Sequence, residues 1–355
     1  MFGNKRKNLL PLADVEIRAW PEQNFLFGIL QEIPCGTDWL MNHFIQMRGA
    51  HYIDYEWDTV DASVTFYPYG IHQLTPNMFD LCPFLDKYTL PKPFVRNFYR
   101  DFTKFVKDAV DGGYYISVFL DQFFRKDMAG NYGFHHPTFI YGYDDGQRKI
   151  YIADNFENGK YGKKEISYSQ LNRAFNLVPG DLWVVSIFLY KVVPFHFEYV
   201  HDYVMEQIED YINPNRGICY FDKTVCPESF HNDEKYLNEV FFGIDCYRLL
   251  DKCLEAVIQD DPEYSGKDWR SLVQLCDHKH LMVRRYEYMC KEGHMKFDEE
   301  LLDDLKRLET ECLIAQNMYV KYTVSGNKEI IKRLRERLLA IRDKDILLMR
   351  RLLGE

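Results

Sequence analysis

The stretch HPTFIYGYDDGQRKIYIAD, from His136 to Asp154, reads as two strands and the turn that joins them. Aromatic and β-branched residues fill His136–Tyr143 and Lys149–Asp154, and Asp144-Asp145-Gly146-Gln147 is a hairpin turn. Working outward, Tyr114–Leu120 is a buried strand ahead of the hairpin, after the Gly112-Gly113 stop, and Leu182–Tyr190 closes the sheet behind it. A short helix begins near Ser167, and residues 51–69 alternate as one or two further strands. Helices are predicted upstream over 36–48 and 93–110, and residues 8–34 read as a leading segment of short extended pieces. Helices first and then an antiparallel sheet make an α+β fold.

After Pro194 the pattern becomes helical, over 196–213, 231–259, 266–292, 298–322 and 327–352. The expected division is therefore an α+β domain over 1–193 and an all-α accessory domain over 194–355.

Bulk properties narrow the function. The 355 residues are 46% apolar and 28% charged, as in a globular protein. A net charge of −10 argues against nucleic acid as partner and suits a cationic small substrate such as an amine. Aromatics at 16% point to a pocket or interface rich in rings. Nine cysteines without a tight C-x-x-C spacing fit a reducing cytoplasm. The basic start lacks an apolar stretch for a signal peptide, and no run of about 18 apolar residues suggests a membrane span.

Chemistry is expected at Cys35, in Ile33-Pro34-Cys35-Gly36-Thr37. A thiol at a helix start gains from exposed backbone N–H groups, which stabilise a thiolate and can hold an oxyanion. Such a nucleophile needs a base, and the base needs an orienting acceptor. His136 and Asp154 lie near the open ends of one antiparallel hairpin, where opposed Cβ atoms are roughly 5 Å apart. Asp154 can then fix the tautomer of His136, with Asn155 as the alternative acceptor. Asp121, which ends its strand, is a candidate for holding a substrate amine.

Cys35-Gly36 at a helix start, His136-Pro-Thr-Phe-Ile-Tyr-Gly142-Tyr143-Asp144 and Ile150-Tyr-Ile-Ala-Asp154 together resemble the papain-like cysteine family. The similarity covers roughly 30–190 and is closer to the subgroup typified by the butirosin-biosynthesis protein H acyltransferase than to the C39-type peptidases of that family. The Gly112-Gly113 turn, apolar strand and Asp121 also resemble that subgroup. A further similarity is to the papain-like amide-forming enzymes that join a carrier-bound chain to a diamine, as in closthioamide biosynthesis. The resemblance implies an acyltransferase of nonribosomal peptide-type natural product biosynthesis. It would take an acyl or peptidyl group from a carrier-protein thioester onto Cys35 and pass it to an amine. No cofactor or metal is implied, the substrate arriving on the phosphopantetheine arm of the carrier protein.

One departure concerns the oxyanion. Papain-like proteases place a Gln about six residues before the cysteine; here that residue is Ile29, while Gln31 lies four before. Either Gln31 or backbone N–H groups would serve, which weakens a peptidase or amidase reading more than a transferase one. A non-catalytic carrier-binding scaffold is the other alternative, and it would not need Cys35.

Other features have plainer readings. Cys276-Asp277-His278-Lys279-His280 has no second ligand cluster, so no metal site is expected. Cys219/Cys226 and Cys246/Cys253, each seven apart, read as core packing. Lys328, Lys332, Arg333, Arg335, Arg337, Arg342, Arg350 and Arg351 make the last helix basic. That run is either a solvated face or a docking patch for an acidic carrier protein. The long amphipathic helices also leave a homodimer interface open.

Overall fold

The computed structural model describes residues 6–54, 59–66, 78–126, 132–156, 159–179, 186–214, 240–264, 266 and 268–355. In chain order the first elements are β1 (Lys7–Leu9), α1 (Pro21–Leu30), α2 (Gly36–Asn42), β2 (Met47–Asp54), β3 (Thr59–Phe66) and α3 (Met78–Leu81). There follow β4 (Leu85–Pro91), α4 (Lys92–Phe98), α5 (Phe102–Asp111), β5 (Tyr114–Asp121), β6 (His135–Asp144), β7 (Lys149–Asn155), β8 (Tyr161–Ser167), α6 (Tyr168–Leu177) and β9 (Ser186–Val192). The remainder is α7 (His201–Ile212), β10 (Phe241–Phe242), α8 (Cys246–Ile258), α9 (Arg270–Lys291), α10 (Glu299–Ser325) and α11 (Lys328–Leu353). The class is α+β, with antiparallel sheets and a largely helical C-terminal region.

Two compact units divide the chain. The first takes Met1–Thr37 and Phe79–Phe197; the second takes Asp38–Met78 and Glu198–Glu355. The sequence reading has a single boundary at 193/194. It gives no sign that residues 38–78 belong with the C-terminal half. Their hairpin, β2–β3, pairs with β10 across a large gap in sequence, and Ser271 of α9 accepts from the Val64 N–H and donates to the Ala62 carbonyl. Such pairings leave no local pattern.

The first unit is built on a sheet of order β4-β9-β5-β6-β7-β8, with β1 added against β6. Val118, Leu120, Ile140, Ile150 and Ile152 form a core with α5 and α6, closed by Phe102 stacked on Phe175 at 3.7 Å. The helix predicted over 93–110 is two helices, because Tyr99 is extended and Asp101 caps the second by accepting from the Thr103 N–H at 2.9 Å. Phe25 of α1 stacks on Phe139 at 4.6 Å. α1 replaces the extended leading segment expected there. It is buried at every residue except Glu22, so its sequence shows no polar face and hence no helical period. Pro21 opens it, where a missing N–H costs nothing.

In the second unit, the five-residue metal-capable cluster on α9 is absorbed by packing. His278 Nε2 lies 2.8 Å from the Ile45 carbonyl, Lys279 pairs with Asp345, and His280 Nδ1 lies 2.9 Å from Glu309. No group of three or more metal-capable side chains occurs among the described residues. Cys246 and Cys253 are buried on α8; Cys219 and Cys226 lie outside the described residues. The basic run of α11 is largely neutralised. Lys328, Lys332, Arg335, Arg337, Arg342, Arg350 and Arg351 face Asp260, Glu329, Asp251 with Glu255, Glu311, Asp343, Glu355, and Asp298 with Asp304 respectively. Most of these charges are committed within the unit, which removes much of the field a docking patch needs. No helix among the described residues is long and apolar enough to cross a membrane.

Candidate active site

β5, β6 and β7 are consecutive neighbours in the sheet, in a register that sets Leu120 opposite His136 and Phe139 opposite Ala153. Alternation along each strand then puts Leu120, His136, Thr138 and Asp154 on one face, with Gln122 just past the end of β5. Nδ1 of His136 stands 2.8 Å from Oδ1 of Asp154. Asp154 is fully buried and held from several sides. The Asn155 N–H donates to Oδ1 at 2.6 Å, while Gln122 Nε2 and the Thr138 hydroxyl each donate to Oδ2 at 3.3 Å. Gln122 Nε2 also donates to Thr138 at 2.7 Å.

His136 itself is partly open, with its side chain 25% exposed. The ring of Phe134 lies over it at 5.7 Å and 19°, and the guanidinium of Arg125 lies over the far ring at 5.7 Å. Burial pushes the imidazole's pKa down. The charge of Asp154 and the bond to it, helped by the charge of Glu22, outweigh that burial, so the value stands above the ordinary 6.5 although Arg125 opposes the rise. The pair is thus a general base or acid whose orienting carboxylate is locked and whose Nε2 is free of any hydrogen bond to the described residues.

Cys35 is not brought to this pair. α1 begins near it: Asn155, next to Asp154, donates to the Arg18 carbonyl and accepts from Asn24, both at 3.1 Å. From Asn24 α1 continues for six residues to Leu30, about 9 Å at 1.5 Å per residue. Cys35 lies past its far end, where Gly36 is packed on the Leu30 carbonyl so closely that a Cβ would come within 2.0 Å of the oxygen. The histidine that Cys35 meets is His196, whose Nδ1 is 3.8 Å from Sγ.

The other expected site residues divide in the same way. Gln31 is the exposed cap of α1 at the Cys35 end. The Gly36 N–H, expected to help hold an oxyanion, is bonded to the Ile33 carbonyl at 3.0 Å. Asn155 is at the His136 end, but its side chain is spent on Arg18 and Asn24. Asp121 is 1% exposed and organises its own loop, accepting from the Phe123 N–H at 3.0 Å and the Gly133 N–H at 2.7 Å, with His135 Nε2 at 3.6 Å. It is not available to a substrate amine.

Glu22, Gln122, Thr138, Phe134 and Arg125 are absent from the sequence reading. Thr138 carries a signal, since it lies two residues beyond His136 on the same strand; Gln122, past the end of its strand, carries none. Glu22 carries none, because its place beside the pair depends on α1 being a helix. No known protein family is matched by this chain, and no curated protein sequence matches it.

Proposed function

We propose that the first unit transfers an acyl group from a thioester directly to an amine, with His136 as general base and Asp154 as its orienting carboxylate. The 2.8 Å contact between His136 Nδ1 and the locked Asp154 carries this reading. The amine nitrogen attacks the thioester carbonyl and the C–N bond forms. Its proton passes to Nε2 of His136, and the C–S bond breaks as the thiolate leaves and takes that proton back. Aminolysis of a thioester runs downhill, so no energy source is needed. The negative charges of Asp154 and Glu22 favour the imidazolium between these steps and suit a cationic amine.

The papain-like resemblance supplies the substrate classes: an acyl or peptidyl group on the phosphopantetheine arm of a carrier protein, and a small amine. In that arrangement the nucleophile opens the helix packed on the sheet. Here Trp20, Pro21 and Glu22 open α1, and none is a nucleophile of the required kind. The acyl group therefore does not pass through a covalent enzyme intermediate at this pair. The cysteines among the described residues are free thiols, which suits a cytoplasmic protein.

A second reading has the same observation behind it. With no nucleophile in the first turn of α1, a carrier-binding scaffold would keep the fold without catalysis. Aminolysis of an acyl-loaded carrier protein by a diamine, followed by mass spectrometry for wild type and His136→Asn, separates the two. Loss of about 10²-fold or more in the variant supports the transferase. An unchanged product rate leaves the scaffold.

A further inference from the structure

We infer that Cys35 and His196 form a second reactive centre, separate from His136–Asp154, at which the thiol exchanges with small-molecule disulfides. Three observations converge on it. Sγ of Cys35 is 3.8 Å from Nδ1 of His196, within reach for proton transfer to the imidazole. His196 is exposed and Cys35 half-exposed, so a small reagent can reach the sulfur from solvent. Cys35 also holds φ at 61°, a left-handed conformation that a side chain disfavours and that glycine would adopt freely. Gly36 beside Cys35 is wedged on the Leu30 carbonyl, so the backbone that carries the thiol is held in that conformation.

The other cysteines among the described residues differ. Cys82, Cys246, Cys253, Cys276 and Cys312 are buried. Cys290 is half-exposed like Cys35, but its neighbour is the Tyr286 hydroxyl, which is no base at neutral pH. Cys290 is therefore an internal control for exposure without an imidazole.

The step balances without a further reagent. His196 takes the thiol proton, and the thiolate attacks one sulfur of the disulfide. A Cys35–S–S bond forms, the original S–S bond breaks, and the departing thiolate receives the proton from the imidazolium. Cys35 is oxidised to a mixed disulfide and half of the reagent is reduced to a thiol. Excess reduced thiol reverses it.

The test uses the full chain and oxidised glutathione, with labelling at Cys35 and Cys290 followed by peptide mass spectrometry over time at pH 7. Cys35 is expected to be modified at least about tenfold faster than Cys290, and His196→Gln, a change at an exposed side chain, to slow Cys35 at least about fivefold while leaving Cys290 unchanged. Equal rates at the two cysteines in the wild type overturn the assignment. So does a Cys35 rate that His196→Gln slows by less than fivefold. Neither outcome bears on amide formation at His136.

Discussion

Cys35 and His136 stand at opposite ends of the buried helix α1, and each has a different partner: His196 for the thiol, Asp154 for the imidazole. The elements of a cysteine–histidine–aspartate triad are all in the first unit, but split into a thiol–imidazole pair and an imidazole–carboxylate pair. The second is the better engineered, since its carboxylate is buried and has a donor at each oxygen.

That support is testable by itself. Gln122→Met and Thr138→Val remove the two donors to Oδ2 of Asp154 and leave the His136 imidazole in place, although Thr138→Val also removes a hydroxyl that donates to the His136 carbonyl at 3.4 Å. Each is expected to lower kcat for amide formation by about tenfold through a less well-held imidazole, with KM for the amine little changed. A change confined to KM would assign these residues to binding.

The raised pKa of His136 fixes the sign of two pH effects. A general base must be neutral, so the acid limb of kcat/KM is expected above pH 6.5, and Glu22→Gln, which removes a raising charge, moves it to lower pH. Stability runs the other way. His136 contributes stability fully present below its unfolded value of about 6.5 and lost as pH rises through the higher folded value. Titration of the His136 ring by NMR checks the shift, and denaturant midpoints across pH 6–8 check the linkage.

In the second unit, Asp345 is fully buried and receives Lys279 together with the hydroxyls of Tyr211 at 2.7 Å and Tyr247 at 3.2 Å. Breaking such a pair leaves an uncompensated charge. Asp345→Asn is expected to destabilise by about 3–5 kcal/mol, and Lys279→Met with Asp345→Leu by much less. Denaturant unfolding of the three proteins measures both.

Gly36→Ala is expected to lower stability by about 1–3 kcal/mol, because its Cβ would sit 2.0 Å from a backbone oxygen that cannot swing aside. Thermal unfolding of the variant checks it.

How much of this was legible depended on whether the signal is local. The hairpin from His136 to Asp154 is written in alternation and turn chemistry; the register sets Phe139 opposite Ala153, so the two side chains meet diagonally across the strands, at 2.8 Å, and not as directly opposed residues. The placement of Cys35 was not legible, because it turns on α1. Phe25–Leu30 is buried on all sides and therefore reads as a featureless apolar run, and without α1 the helix after Cys35 takes its place as the one packed on the sheet. α2 is in fact only Gly36–Asn42, and Phe44, at φ 60°, turns the chain soon after it into β2. The basic stripe of α11 shows the same limit. The carboxylates that meet Arg335, Arg337 and Arg351, namely Asp251, Glu311 and Asp304, come from other helices, so that part of the run looks like an open patch until the helices are packed.

The most direct test compares single-turnover amide formation from an acyl-loaded carrier protein and a diamine for wild type, Cys35→Ala and His136→Asn. The account predicts that Cys35→Ala keeps the wild-type rate within about twofold and that His136→Asn loses at least about 10²-fold. A Cys35→Ala protein that makes no amide, with an acyl adduct on Cys35 in the wild type that the diamine discharges at the turnover rate, would contradict it.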